Sequence, residues 1–116
     1  QVLSSFYNGK CFYCGKSIKK ESAHVDHFIP WSFVQADQLW NLVIACSACN
    51  LSKSDKLANK LFLESVIERN DNLITIPELS KREDMKVYTS KKMQDLYYYS
   101  VENGFTDIWL PKKIII

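Results

Sequence analysis

The chain has 116 residues, 47% hydrophobic and 24% charged, which suits one globular domain with a modest core and excludes the disordered and low-complexity classes. No apolar run approaches the ~20 residues of a membrane span and no signal-peptide pattern opens the chain, so the expectation is a cytoplasmic domain with no membrane partner. The net charge of +2 says little by itself, but residues 1–60 hold seven lysines against four acids while the remainder nets −1, which leans toward a phosphate-bearing partner. The first residue is Gln1 and the chain closes on Lys-Lys-Ile-Ile-Ile; both ends read as cuts from a longer protein.

Asn8-Gly9 and Cys14-Gly15 are turn signals on either side of a first Cys-x-x-Cys pair, Cys11 and Cys14. Ser22 to Ile29, partly β-branched and stopped by Pro30, reads as a strand. A loop over 31–38 follows. Leu39 to Cys46 is apolar enough for a second, buried strand, and the two are expected to pair antiparallel. A second Cys-x-x-Cys pair, Cys46 and Cys49, opens a helix that Ser47 could cap, running on to Asn70 with a break near Ser54. On it, Asn50 and Lys53 lie three apart and share a face.

The second half reads as helical. Ala58, Leu61, Phe62, Val66 and Ile67 form an apolar stripe that ends near Asn70-Asp71-Asn72. A link containing Pro77 leads to Ser80-Lys81-Arg82-Glu83, which has the form of a capping box. Met85, Tyr88, Leu96, Tyr97 and Val101 mark a further face, stopped by Asn103-Gly104. Tyr97, Tyr98 and Tyr99 could stack on bases, but aromatic clusters on a helix are usually core and rim. This half reads as scaffold.

The four cysteines form two pairs with 31 residues between them. In a chain without a secretion signal, that pattern reads better as four thiolates around one structural zinc than as two disulfides. Four thiolates leave no open position, so the zinc is not expected to be catalytic. Both histidines of the chain, His24 and His27, fall in His-Val-Asp-His-Phe-Ile-Pro, with Asp26 between them. Imidazole titrates near neutrality and can act as a general base or a metal ligand.

Cys-x-x-Cys, then Val-Asp-His-Phe-Ile-Pro, then Trp-Asn-Leu-Val-Ile-Ala-Cys, then Cys-Ser-Ala-Cys-Asn-Leu-Ser-Lys follow one another in order. This series resembles the HNH endonuclease family, whose ββα-metal finger is often stapled by zinc through two such pairs. The resemblance covers Cys11 to Lys56. It implies an α+β fold: a nuclease core over 1–60, consisting of an antiparallel hairpin and a helix, with a helical extension over 61–116 packing on it.

The resemblance also implies roles. His27 would be the general base that activates water. Asp26 and Asn50 would hold a catalytic divalent cation, magnesium or manganese, separate from the zinc. Asn41 would orient the histidine loop through hydrogen bonds. Lys53 and Lys56 would meet the phosphate backbone. DNA is the expected substrate, because the family mostly cuts DNA, and RNA uses the same chemistry. His24 is expected in a supporting or surface role.

Two departures stand out. The third motif position is Asn50, an H-N-N form whose neutral amide should hold the metal more loosely. The 30–38 loop lacks the usual glycines and carries Trp31 and Phe33, to pack on the helical half or to serve substrate. The rival reading is a non-catalytic zinc finger that binds nucleic acid or protein; such a binder has no use for Asp26, His27 and Asn50 together. Related domains occur in restriction-type, phage and mobile-element proteins, and a homodimer or flanking domains would decide between nicking and double-strand cutting.

Overall fold

The computed structural model describes residues 8–114. Gln1 and the final isoleucines, Ile115 and Ile116, lie outside the described residues. The first knuckle is a tight loop. Gly9 and Gly15 sit at φ of 83° and 78°, where a side chain would be strained. Between them the Cys11 N–H donates to the Lys16 carbonyl at 2.9 Å. The knuckle is tied to the hairpin by the Phe12 N–H, which donates to Ile44 O at 2.8 Å.

The hairpin pairs β1 (His24–His27) antiparallel with β2 (Leu42–Ala45), with His24 opposite Ala45 and Asp26 opposite Val43. Val43 and Ala45 are fully buried, so the β2 alternation sends one face into the core. The expected second strand, Leu39–Cys46, begins later: Leu39–Asn41 form a 3-10 turn that buries all three residues before the strand starts. The expected loop after Pro30 contains a single helical turn, α1 (Trp31–Val34), closed by Gln35 at φ 56°. Phe33 packs edge-on against Phe105 with ring centroids 5.9 Å apart, while Trp31 stays half exposed. Of the two expectations for this loop, packing on the second half is met by Phe33, while Trp31 faces outward.

α2 (Ser47–Lys53) starts from the second knuckle, but Ser47 is not its cap. The Cys46 sulfur accepts the Cys49 N–H, so the knuckle itself satisfies a free donor of the first turn. The expected break near Ser54 is complete. Ser54 lies at φ 49° and the chain turns into β3 (Leu57–Ala58), where both residues are fully buried. β3 pairs in parallel with β4 (Ile108–Trp109), delivered from the far end of the chain. A continuous helix would have left this buried step without a partner strand.

α3 (Leu61–Leu73) buries Phe62, Leu63, Val66, Asn70 and Leu73. The expected stripe is corrected at two positions: Ala58 belongs to β3, and Leu61 is 63% exposed. The capping box over Ser80–Glu83 does not form. Pro77, with its φ preset, starts α4 (Pro77–Ser80), so Ser80 ends a turn and its hydroxyl donates to Pro77 O at 3.1 Å. α5 (Glu83–Lys86) follows with no side-chain cap. α6 (Ser90–Glu102) is capped by the Thr89 hydroxyl, which accepts the Lys92 N–H at 3.1 Å, and ends at Asn103 and Gly104 as expected. Met85 and Tyr88 therefore precede α6 rather than lying on it.

The core is a continuous aromatic and aliphatic cluster that both halves share. Tyr13 from the knuckle meets Phe62 of α3 at 5.3 Å and Trp109 of β4 at 5.0 Å, both edge-on. Buried polar atoms seal the same seam. Asn70 donates to Trp40 O at 2.8 Å, and the Tyr97 hydroxyl donates to Ala58 O at 2.6 Å. Tyr97 is core, while Tyr98 and Tyr99 are about half exposed at its rim. The architecture is α+β: an antiparallel hairpin and short helix, followed by helices that close over them.

Candidate functional site

Cys11, Cys14, Cys46 and Cys49 are all buried, and their sulfurs lie within 4.8 Å of one another. A tetrahedral zinc with Zn–S bonds of about 2.3 Å requires S···S edges of about 3.8 Å, and Cys14 Sγ to Cys46 Sγ is 3.9 Å. The two knuckles have matching local geometry. Cys14 N–H points at Cys11 Sγ (3.5 Å), and Cys49 N–H at Cys46 Sγ (3.4 Å). Such N–H donors stabilise negative sulfur. Burial works against the Cys46 thiolate, yet hydrogen bonds from Cys49 and the neighbouring thiols outweigh it and hold that thiol below its ordinary value. Burial and the neighbouring Cys11 push Cys49 far up. Four sulfurs crowded in an apolar setting favour ionisation together only around a shared cation. The donor set fits a zinc site made of four thiolates.

The two knuckles also deliver the groups that grip Asp26. This carboxylate, on β1, is 6% exposed. Its Oδ2 accepts the hydroxyl of Tyr13 at 2.5 Å, from between Cys11 and Cys14. The same oxygen faces Lys53 Nζ at 3.2 Å, from the helix that the second knuckle starts. Oδ1 has no protein donor among the described residues. Burial, and then the Asp26 charge, raise the Tyr13 phenol well above its ordinary value, so it stays a donor. Burial lowers Lys53, and Asp26 opposes that shift.

This corrects the expectation that Lys53 reaches the phosphate backbone. Its side chain is fully buried, drawn in by Asp26 and by the His27 carbonyl, to which Nζ donates at 2.8 Å. A backbone phosphate cannot compete at that distance without breaking a buried pair. Lys56 is half-buried and has no ion-pair partner among the described residues.

His27 ends β1 with 28% of its side chain exposed, and its Nε2 lies 2.6 Å from Asp37 Oδ1. Asn41 is fully buried and holds the segment just beyond His27. It accepts the Ile29 N–H and donates to Ile29 O, both at 2.9 Å, while its own carbonyl accepts the Phe28 N–H at 2.8 Å. Asn50 sits half-buried on α2 with no side-chain hydrogen bond among the described residues. His24 is exposed, two residues before Asp26 on the same strand. Lys53 thus touches the Asp26 carboxylate and the His27 backbone carbonyl, the His27 ring meets Asp37, and Asn50 and Lys56 have no side-chain hydrogen bond to any of them among the described residues.

Two residues of this arrangement escaped the sequence reading. Tyr13 carried a signal: it is the polar aromatic enclosed by a Cys-x-x-Cys turn. Asp37 carried a weaker one, as the sole acid between Asp26 and Asp55.

A ββα unit with a four-cysteine cluster, and a buried acid next in sequence to a partly exposed histidine, defines a cysteine-stapled finger. Residues 11–59 match the family of HNH endonucleases. A comparison with curated proteins gives no match. Among solved structures, the chain is similar to the Type II-C Cas9 enzyme from Actinomyces naeslundii, at 20% identity and a TM-score of 0.40. The similarity covers 93% of this chain and 12% of that one, so the present sequence spans a small part of that enzyme's length.

Proposed function

We propose that the protein is a metal-dependent endonuclease that hydrolyses phosphodiester bonds, with DNA as substrate. The observation that carries the reading is the half-occupied carboxylate. Asp26 has one oxygen held by Tyr13 and Lys53 and the other free, next in sequence to a half-exposed His27. A zinc ion held by Cys11, Cys14, Cys46 and Cys49 would be structural, because four thiolates complete its shell.

Asp26 and Asn50 are the residues that would hold magnesium or manganese. When bound there, such a cation supplies charge stabilisation at the scissile phosphate and the 3′-oxygen leaving group. His27 removes a proton from the attacking water. Asn41 keeps the His27–Pro30 turn in place through its bonds to Ile29, so the imidazole meets the water in one orientation. Lys53 holds the Asp26 carboxylate and the His27 carbonyl together, a positioning role from inside the fold. The exposed lysines Lys10, Lys16, Lys19 and Lys20 add the positive field that attracts a polyanion.

The test is cleavage of supercoiled plasmid by the wild type and by His27→Ala, with magnesium, manganese or chelator. Relaxation or linearisation by the wild type alone, abolished by chelator, is expected. Loss of a general base costs about 100- to 10,000-fold. Equal cutting by both proteins would remove His27 from the reaction. No cutting of plasmid or of structured RNA, by a zinc-loaded folded protein, would overturn the nuclease reading in favour of a binding finger.

A further inference from the structure

Asp37 is the acid that the reaction outlined above leaves without a task, although its carboxylate makes the short contact to the His27 ring, Nε2 to Oδ1 at 2.6 Å. We infer that Asp37 is a positioning residue for His27: it holds the ring with the proton on Nε2 and leaves Nδ1 as the nitrogen that receives the proton from water. The inference rests on the nuclease reading for the identity of the base.

The chemistry of the pair sets its polarity. A carboxylate oxygen accepts, so the ring nitrogen facing it must carry the hydrogen. Nδ1 has no partner among the described residues, and 28% of the side chain is exposed. When Nδ1 takes the proton, both nitrogens carry hydrogen and the ring becomes a cation. Its Nε2–H then already points at an anion, and no side chain has to move.

The pair could instead be one of the surface contacts that contribute almost nothing, since Asp37 is 73% exposed. The path of the chain argues otherwise. Asp37 is brought back to His27 by a turn fastened on both sides. Gln35 in the left-handed region donates its N–H to Trp31 O, reversing the chain after α1. On the near side, the Ser32 hydroxyl donates to Asp55, and Phe33 packs on Phe105. On the far side, the Leu39 N–H donates to Asp84 Oδ2 at 2.8 Å, and Asp84 is itself held by Arg82. The exposure of Asp37 sets the size of the effect: its contact contributes orientation more than stability.

The experiment uses the full zinc-loaded chain with nitrogen-15-labelled histidine, free of divalent catalytic metal. There are two histidines to resolve, and exposed His24 serves as the internal reference. The wild type is expected to show His27 as the Nε2–H tautomer, and Asp37→Ala as a mixture of both tautomers. In plasmid cleavage, Asp37→Ala should lower kcat by about tenfold and leave KM within about twofold, because orientation of the base changes the chemical step and not binding. Asp37→Glu should recover part of the loss. An unchanged tautomer in Asp37→Ala beside intact wild-type cutting would overturn the assignment of Asp37 alone. Faster cutting by Asp37→Ala would also overturn it, marking Asp37 as a shutter over the ring. Absence of wild-type cutting would overturn the nuclease reading, whatever the tautomer.

Discussion

The finger and the helical half both bury polar side chains, but they use them differently. In the finger, Asp26, Asn41 and Lys53 are buried around the end of β1, and their bonds converge on residues 26–29. In the helical half, Asn70 and Ser100 are buried and donate to backbone carbonyls, of Trp40 and Tyr97. One set holds a buried carboxylate and the strand end that carries a partly exposed histidine. The other closes scaffold. Burying a charge pair is costly and seldom gains stability over an apolar replacement, so its placement under Asp26 points to positioning as what it contributes.

The strongest way to break this contrast is to remove the staple. Zinc in such sites is worth on the order of 10 kcal/mol in apparent folding free energy. A strong chelator, or Cys46→Ser, should therefore melt the hairpin and release Tyr13 from Asp26. Zinc content by elemental analysis, with near-ultraviolet circular dichroism, checks this. Full retention of the aromatic signal without metal would show that the shared core alone holds the finger.

The next largest effect separates the two kinds of buried polarity. Lys53→Met leaves a buried carboxylate short of its cationic partner and should cost about 3–5 kcal/mol in urea unfolding. Asn70→Ala leaves the Trp40 carbonyl with only the long 3.5 Å contact from Arg69 and should cost about 1–3 kcal/mol. Lys53→Met should also weaken manganese binding followed by calorimetry, while Asn70→Ala should not. Equal effects on manganese would erase the distinction.

The smallest effect is electrostatic and lies in the link between halves. Burial works against the Asp84 carboxylate, but its bonds from Arg82 and the Leu39 N–H outweigh that and hold it below its ordinary value. A group whose folded value is depressed adds stability above its unfolded value, about 3.9, and loses it as pH falls through the folded value. Asp84→Asn should therefore cost its stability at neutrality and flatten the acid limb below about pH 4, where the two proteins converge. An acid limb identical to that of the wild type would remove Asp84 as a pH-dependent tie.

What could be read from the sequence was local. Cys11-x-x-Cys14 and Cys46-x-x-Cys49 announce their own geometry, because a knuckle is a turn closed by its own N–H···S contact. The alternation of Val43 and Ala45 and the Pro30 stop place the hairpin, and Asp26-His27 put an acid and an imidazole on opposite faces of one strand end. Helix signals failed where a competing local device was nearer. Pro77 started a turn before Ser80 could cap one, and Cys46 took the N–H that Ser47 was expected to take.

Tertiary structure decided the rest, since it depended on segments far apart in sequence. The pattern Asn-x-x-Lys places Lys53 near Asn50 on a helix surface, but only the packing of α2 against β1 decides that its ammonium turns inward to Asp26. Asp37 looks like any loop acid until the left-handed Gln35 and the Asp84 tie carry it to His27. The apolar Leu57-Ala58 step reads as helix until Ile108-Trp109 arrives from the far end of the chain to pair with it. Residue type and short spacing determine which groups can do chemistry, because turns and strand faces are set by neighbours. Which of those groups face solvent is settled by burial, and burial is a property of the whole chain.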